Sequence, residues 1–481
     1  MAEDVQAIKL PFESGEYLVT WDVPGGDSGL LQIPGLLTVE RDKYPHSVLY
    51  GDMPIEWVTE GAAGVASFPQ SSSFEALTGR LSTGAYVCLA NGQLNYWFNT
   101  QGRAVAAFAV LSQDPFRPDE HRKYNSIEIQ IEGLESLTGI APIHRVKMPM
   151  KAGETEWLAE LRPESTVEWK RDGKTMSFRY DHSARVMDGY EFRLAFGPAL
   201  RLASETPMSI ADWWLEWVRP LVQLVSTVTG GPRELRYFLA DSGDAQSRRT
   251  QDQVFGWNIT HVPVNSTRAS VDEIRSSIRL VDDEMSLLDL IVAWQERLRD
   301  HHPLFETYGV MATAGEQHPR SRFLLLIQAL EGSYGFEHSE QHEEDAARYG
   351  EKRLQVLLRA TEALDAVDLK FIRKHLRRAP QEGLASALAE LLSRLPADFV
   401  EQLNKTALAA KVRDSDERTP ALPLQAVLTR ARNTLSHGSG SFHTADLAVV
   451  ADLLEAVVRS EAVRLLNAPS SAQERALKAA D

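Results

Sequence analysis

The apolar residues of this chain change period once, and no single layer of secondary structure accommodates both periods. Up to about residue 270 they recur in short alternating runs. Ile127-Glu128-Ile129-Gln130-Ile131-Glu132 alternates strictly, as a strand with one buried face requires. Glycine and proline punctuate this half, in Pro24-Gly25-Gly26 and Pro34-Gly35 for example. From about Ser270 the spacing becomes helical, as at Leu354, Leu357, Leu358 and Leu364. The fold class that follows is multidomain. A β-rich, sandwich-like N-terminal domain (1–275) precedes an all-α helical bundle (276–470) and a flexible tail (471–481). A length of 481 residues suits this organisation, at roughly 100–200 residues per domain.

Within the first half, Asn91-Gly92 and Asp172-Gly173 each predict a tight hairpin turn, because both pairs tolerate positive φ. Trp21, Trp57, Trp97, Trp157, Trp169, Trp213, Trp214 and Trp217 form a tryptophan-rich set that reads as core and sheet packing. One helix interrupts the strands. It opens at Ser209 or Asp212 as N-cap and runs through Trp217 and Leu224 to about Val228. Pro220 is expected to kink or break it, and Gly230-Gly231-Pro232 to stop it. In the second half the expected helices are Ser286–Arg299, Arg322–Glu331, Lys352–Leu364, Leu384–Leu395, Phe399–Ala410 and Leu422–Leu435. Thr444 is expected to cap a last one, from Ala445 to about Leu466.

Several classes are disfavoured. No apolar run approaches the roughly 20 residues of a bilayer span, and the acidic start, Met1-Ala2-Glu3-Asp4, lacks a signal-peptide core. The expectation is a cytoplasmic protein with no membrane partner. Cys88 is the only cysteine, so there is no intramolecular disulfide and no cysteine zinc cluster. Its setting reads as a strand and its thiol as buried and inert. The net charge of -16 argues against a general nucleic-acid coating protein. It leaves room for an enzyme with a local positive patch.

The residues best suited to chemistry are Arg430-Ala431-Arg432-Asn433-Thr434-Leu435-Ser436-His437-Gly438. RNA is cleaved without a metal or cofactor when its own 2′-hydroxyl attacks the adjacent phosphorus. That route needs a group to move protons near neutral pH, which suits His437. It also needs a fixed positive fork on the phosphate, which suits Arg432, with Arg430 as a second arginine. Asn433 can orient the histidine or hold a phosphate oxygen. Gly438-Ser439-Gly440 lets the backbone turn, which places His437 at a helix end. The same residues also fit a plain helix C-terminus whose cations meet its negative dipole end.

The surrounding sequence bears on that choice. Arg322-Phe323-Leu324-Leu325-Leu326-Ile327-Gln328-Ala329-Leu330-Glu331 resembles the first core helix of the HEPN domain in ApeA-like antiphage proteins. Arg432-Asn433 followed by His437 resembles that family's R-N-x-x-x-H signature at the matching distance downstream. The N-terminal half is similar to the ApeA N-terminal domain, in Gly15-Glu16-Tyr17 to Trp21 and in Ile33-Pro34-Gly35-Leu36-Leu37. The resemblance implies an abortive-infection ribonuclease acting on a cellular RNA such as tRNA. In it a β sensor domain restrains or triggers a HEPN nuclease, with a phage protein as a candidate trigger. It also implies a homodimer or higher homo-oligomer, because HEPN sites are built across two copies. Gly332-Ser333-Tyr334-Gly335 departs from the family's helix, which is expected to end near Glu331.

Arg373-Lys374-His375-Leu376-Arg377-Arg378 is the densest basic run. It reads either as a phosphate-binding patch for RNA or as a solvated helix face. His338 and His342 have helical i, i+4 spacing among carboxylates, yet lack the H-E-x-x-H order; a solvated loop is expected and no metal. Pro24-Gly25-Gly26-Asp27-Ser28-Gly29 lacks the lysine of a phosphate loop and reads as a turn. His443 is assigned to the cap of the last helix, and His301-His302 to a helix terminus. Two other functions compete with a nuclease: a catalytically silent HEPN scaffold, and a carbohydrate-binding β protein with a helical oligomerisation domain, presenting Trp97 and Trp157 to sugar.

Overall fold

A computed structural model describes residues 5–24, 29–52, 57–58, 65–66, 70–97, 101–117, 122–148, 158–162, 167–186, 192–243, 251–377, 383–415, 422–438 and 440–478. The run 25–28, Trp157, Arg378 and Ser439 lie outside the described residues, as does the side chain of Trp97. The chain divides into two compact units, Met1–Ala293 and Trp294–Asp481. The first is β-rich and the second helical, as the change of period predicts. Among the described residues no helix is long and apolar enough to cross a membrane.

The N-terminal unit is built on one twelve-stranded sheet. Its strands are β1 (Gly15–Pro24), β2 (Leu30–Val39), β3 (His46–Tyr50), β4 (Gln70–Leu81), β5 (Tyr86–Trp97) and β6 (Gln101–Ser112). Then follow β7 (Tyr124–Ile131), β8 (Val167–Arg171), β9 (Lys174–Val186), β10 (Phe192–Met208), β11 (Leu235–Asp241) and β12 (Asp252–Gly256). The order is β8-β9-β10-β7-β11-β12-β6-β3-β2-β1-β4-β5, and β5 returns to pair with β6. That last pairing closes β1 to β6 into a barrel, which removes its open edges. One edge of β6 serves both halves. Its first part pairs with β3 (His46↔Val105) and its last part with β12 (Val254↔Val110). The open remainder of the sheet therefore grows out of the barrel wall.

Trp21 is the centre of the barrel core. It is fully buried, and its indole N–H donates to Ser47 Oγ at 2.9 Å. A Cβ on Gly35 would lie 2.9 Å from the indole nitrogen, and one on Gly79 would lie 2.8 Å from the ring. Two glycines thus make room for one tryptophan. Of the tryptophans read as packing residues, Trp213 and Trp217 are also buried, whereas Trp169 and Trp214 are half-buried.

Asp172-Gly173 forms its hairpin, with both residues at positive φ between β8 and β9. Asn91-Gly92 does not. It lies inside β5, where Asn91 takes φ 54° and drops out of the pairing with both neighbouring strands, whose register continues unchanged on either side. The positive φ was legible, but it serves a kink. Phe74 lies so close over Gly92 that a Cβ would come within 2.3 Å of its ring.

α1 (Leu134–Thr138) follows β7. α2 (Ile210–Asp212), a π-helical stretch (Trp213–Val218) and α3 (Arg219–Thr229) then run without a break. Ser209 is the N-cap, in a capping box with Asp212. Pro220 does not break this helix. The widened π turns directly before it relieve the hydrogen bond that proline lacks. α4 (Arg268–Glu273) and α5 (Leu287–Arg299) follow, and the division between units falls within α5.

The C-terminal unit continues with α6 (Pro303–Thr313), α7 (Pro319–Glu337), α8 (Ser339–Ala363), α9 (Ala366–His375) and α10 (Leu384–Ser393). α11 (Ala397–Asn404), α12 (Ala407–Asp414), α13 (Leu424–Ser436), α14 (Thr444–Leu465) and α15 (Ser470–Lys478) complete it. Four expectations need correction. α7 runs straight through Gly332, because that glycine is where Pro303 of α6 packs; a Cβ there would lie 2.6 Å from the proline. The segment around His338 and His342 is the end of α7 and the start of α8, not a loop. The Phe399–Ala410 helix is two helices, since Thr406 caps α12. The residues after Pro469 form α15, whose Ala472, Ala476 and Leu477 are buried.

His302 illustrates the cost of this packing. It is fully buried as the N-cap of α6, between Phe305 and Phe336, with neither ring nitrogen hydrogen-bonded among the described residues. Burial, aided by the charge of Arg297, pushes its pKa down to about 4. The folded state thus refuses a proton that the unfolded chain takes up near pH 6.5. His302 contributes fully above that pH, and its contribution is lost as pH falls toward 4, at up to about 1.4 kcal/mol per pH unit. Urea unfolding of the helical unit is expected to shift to lower denaturant between pH 7 and pH 5, and the shift to shrink in His302→Phe.

Candidate functional site

α13 is amphipathic. Leu424, Val427, Leu428, Ala431 and Leu435 are buried at helical spacing. Arg430, Asn433 and Ser436 are exposed, and Arg432 is half-buried. Residues three and four apart share a helix face, so Arg430, Asn433 and His437 stand in one stripe. Arg432 lies beside that stripe. Its guanidinium donates to Asn433 Oδ1 at 3.2 Å and to Glu331 Oε2 on α7 at 3.4 Å. Glu331 reaches Arg432 from α7, which runs on past Gly332. The pair is about one-third exposed on each side, so it orients Arg432 more than it stabilises the fold.

His437 is the C-cap of α13 and is exposed. Among the described residues its imidazole has no hydrogen-bond or ion-pair partner. Gly438, at φ 66°, turns the chain away directly after it, as the glycine there predicts. The helix end beneath it is held firmly. Arg320 of α7 donates to the Leu435 carbonyl at 2.5 Å, and the Gly438 N–H donates to the same oxygen at 3.3 Å. A cation on terminal carbonyls also complements the helix dipole. Arg320→Ala is expected to cost about 1–2 kcal/mol, read as a lower urea midpoint, and to loosen the end that carries His437.

α7 is itself fixed to α14. Arg322 donates to Asp452 at 2.5 Å and makes a close ion pair with Glu455, whose other oxygen accepts from Tyr308 at 2.9 Å. Glu331, Arg432, Asn433 and His437 thus rest on a cross-braced frame of α6, α7, α13 and α14. The result is an exposed constellation of a tethered arginine, an amide and an accessible imidazole. That set can bind a phosphate and move a proton.

The other residues singled out in the sequence fall elsewhere. Arg373, Lys374 and Arg377 are exposed on the hairpin of α8 and α9, where Tyr349 and Arg353 donate to the Arg377 carbonyl. His443 is the N-cap of α14, its Nδ1 accepting from the Ala445 N–H, so the cap is His443 and not Thr444. His338 stacks on Tyr334 and lies 3.6 Å from Glu390. No group of three metal-ligating side chains occurs among the described residues. Cys88 is half-buried rather than fully buried, and desolvation still pushes its thiol up to about 12, so it stays protonated. Sequence reasoning missed Arg320, which carries no motif and acts only through the meeting of α7 with α13.

Taken together, the architecture is that of a β-barrel protein with an appended helical domain presenting a polar cluster at one helix end. Residues 16–238 match the family model described as ApeA N-terminal domain 1. The N-terminal unit is thus ApeA-like over the barrel and most of the sheet that extends it. No curated protein and no solved structure matches the chain.

Proposed function

We propose that this protein is an antiphage defence ribonuclease whose helical unit is a HEPN nuclease. The ApeA-like N-terminal domain supports the defence role. The observation that carries the catalytic reading is the Arg432-Asn433-x-x-x-His437 run, set on a braced helix end with its imidazole accessible and Arg432 tethered by Glu331. His437 takes the proton of an RNA 2′-hydroxyl. The 2′-oxygen then bonds to phosphorus while the bond to the 5′-oxygen breaks, and that oxygen leaves with a proton from an imidazolium. Arg432 holds the phosphate oxygens where charge accumulates, and Asn433 orients the pair. Arg430, in the His437 stripe, contributes a second phosphate contact.

One chain supplies half a cleft, and a two-fold axis through a second copy completes it. The substrate is a cellular RNA such as tRNA. The basic run on α9 draws it in despite the net negative charge. The β unit acts as sensor, with a phage protein as trigger, in the cytoplasm. A silent scaffold would bind RNA without cutting it. The full-length protein incubated with total tRNA is expected to produce discrete fragments. Tight binding with no fragments, under conditions where infected cells arrest, would favour the scaffold.

A further inference from the structure

Two irregularities and one exposed aromatic residue of the N-terminal unit converge on one cleft. Asn91 kinks β5 at positive φ, the π turns at Trp213–Val218 widen the helix, and Trp257 follows directly on β12. π-helical stretches concentrate at functional positions. Two adjoining hollows share Asn91 and Ala211. One, of about 310 Å³, is aromatic, lined by Tyr44, Phe108, Trp214 and Trp257. The other, of about 410 Å³, has walls that are mainly apolar but is the half that carries charged residues, Glu75, Arg122, Lys123 and Asp212. Together they have the size of a small-molecule site.

The aromatic half offers a ledge. The Tyr44 and Trp257 rings lie 5.2 Å apart and tilted by 33°, and the residues are 53% and 46% exposed. Such rings stack on a planar heterocycle, and the Asn91 amide beside them has a donor and an acceptor for its edge. The charged half does not select a bare anion. Arg122 is committed to Asp252 at 2.8 Å and to the Pro115 carbonyl at 2.6 Å, so it forms a fixed wall. Lys123 lines the same hollow as the Glu75 and Asp212 carboxylates, so the charge there is mixed. Asp212 accepts from Ser209 and keeps further lone pairs. Carboxylates at this position suit the vicinal hydroxyls of a sugar.

We propose that this cleft binds a ribonucleoside, its base stacked on the Tyr44–Trp257 ledge and its sugar hydroxyls received by Glu75 and Asp212. Such a ligand gives the sensor unit a small-molecule input. The proposal does not depend on the nuclease assignment. The test is calorimetric titration of the full-length protein with the four ribonucleosides, their 2′-deoxy counterparts and their 5′-monophosphates. Saturable binding of at least one ribonucleoside is expected. Trp257→Ala and Tyr44→Ala are each expected to weaken it about ten-fold, and Glu75→Gln or Asp212→Asn to erase the preference for ribose over deoxyribose. A free nucleoside binding as well as its monophosphate makes the unphosphorylated compound the ligand; tighter binding of the monophosphate assigns Lys123 to the phosphate. No saturable binding at millimolar concentration, or binding unchanged in Trp257→Ala, overturns the proposal. Binding of an aromatic peptide in place of nucleosides overturns it in favour of a protein partner.

Discussion

His437→Ala is expected to slow RNA cleavage by about 100- to 10,000-fold, the range for removing a positioned proton-transfer group. Its thermal stability is expected to stay unchanged, because the imidazole is exposed and, among the described residues, without a hydrogen-bond partner. The contrast between the two readouts carries the inference. A helix C-terminus whose cations served only the dipole would show the reverse, a small loss of stability and no loss of cleavage. Arg432→Ala is expected to follow His437→Ala in activity. Losing its ion pair with Glu331 costs little stability, since both groups are about one-third exposed.

Trp21→Ala is expected to destabilise the N-terminal unit by about 3–5 kcal/mol, the range for deleting a large aromatic from a packed core. The side chain is fully buried, and Gly35 and Gly79 leave no Cβ atoms to move into the space. The hydroxyl of Ser47 loses its indole donor as well. Unfolding of two units is not one transition, so the loss is read from the barrel's own transition in near-ultraviolet circular dichroism, with the helical transition at 222 nm as internal control. Trp21→Phe keeps most of the volume and is expected to lose about half as much.

The two-unit organisation was legible because period is set locally: Ile127 to Ile131 does form a strand and Leu354 to Leu358 does lie on a helix, although the strand is buried on both faces, Glu128 and Gln130 included, and Leu354, Leu358 and Leu364 are exposed. Three of the failures have one source, which is that a glycine or proline answers to packing or backbone geometry beyond its own position. Gly332 is small to admit Pro303, Gly92 to admit Phe74, and Pro220 is accommodated by π turns. Read locally, each signals a stop or a turn. Within the candidate site, His437 at a glycine-terminated helix end was legible for the opposite reason, because Gly438 acts on its own chain neighbour. The tether from Glu331 and the clamp from Arg320 were not, since each joins residues about a hundred positions apart. The barrel closure was beyond reach too, because β5–β6 pairing looks the same in a barrel and in an open sandwich.

The chemistry of the RNA ends tests the central claim most directly. Wild-type protein incubated with total tRNA in EDTA is predicted to leave 2′,3′-cyclic phosphate and 5′-hydroxyl ends, and His437→Ala to leave none. Fragments ending in 3′-hydroxyl and 5′-phosphate, or identical fragments from the His437→Ala protein, would contradict it.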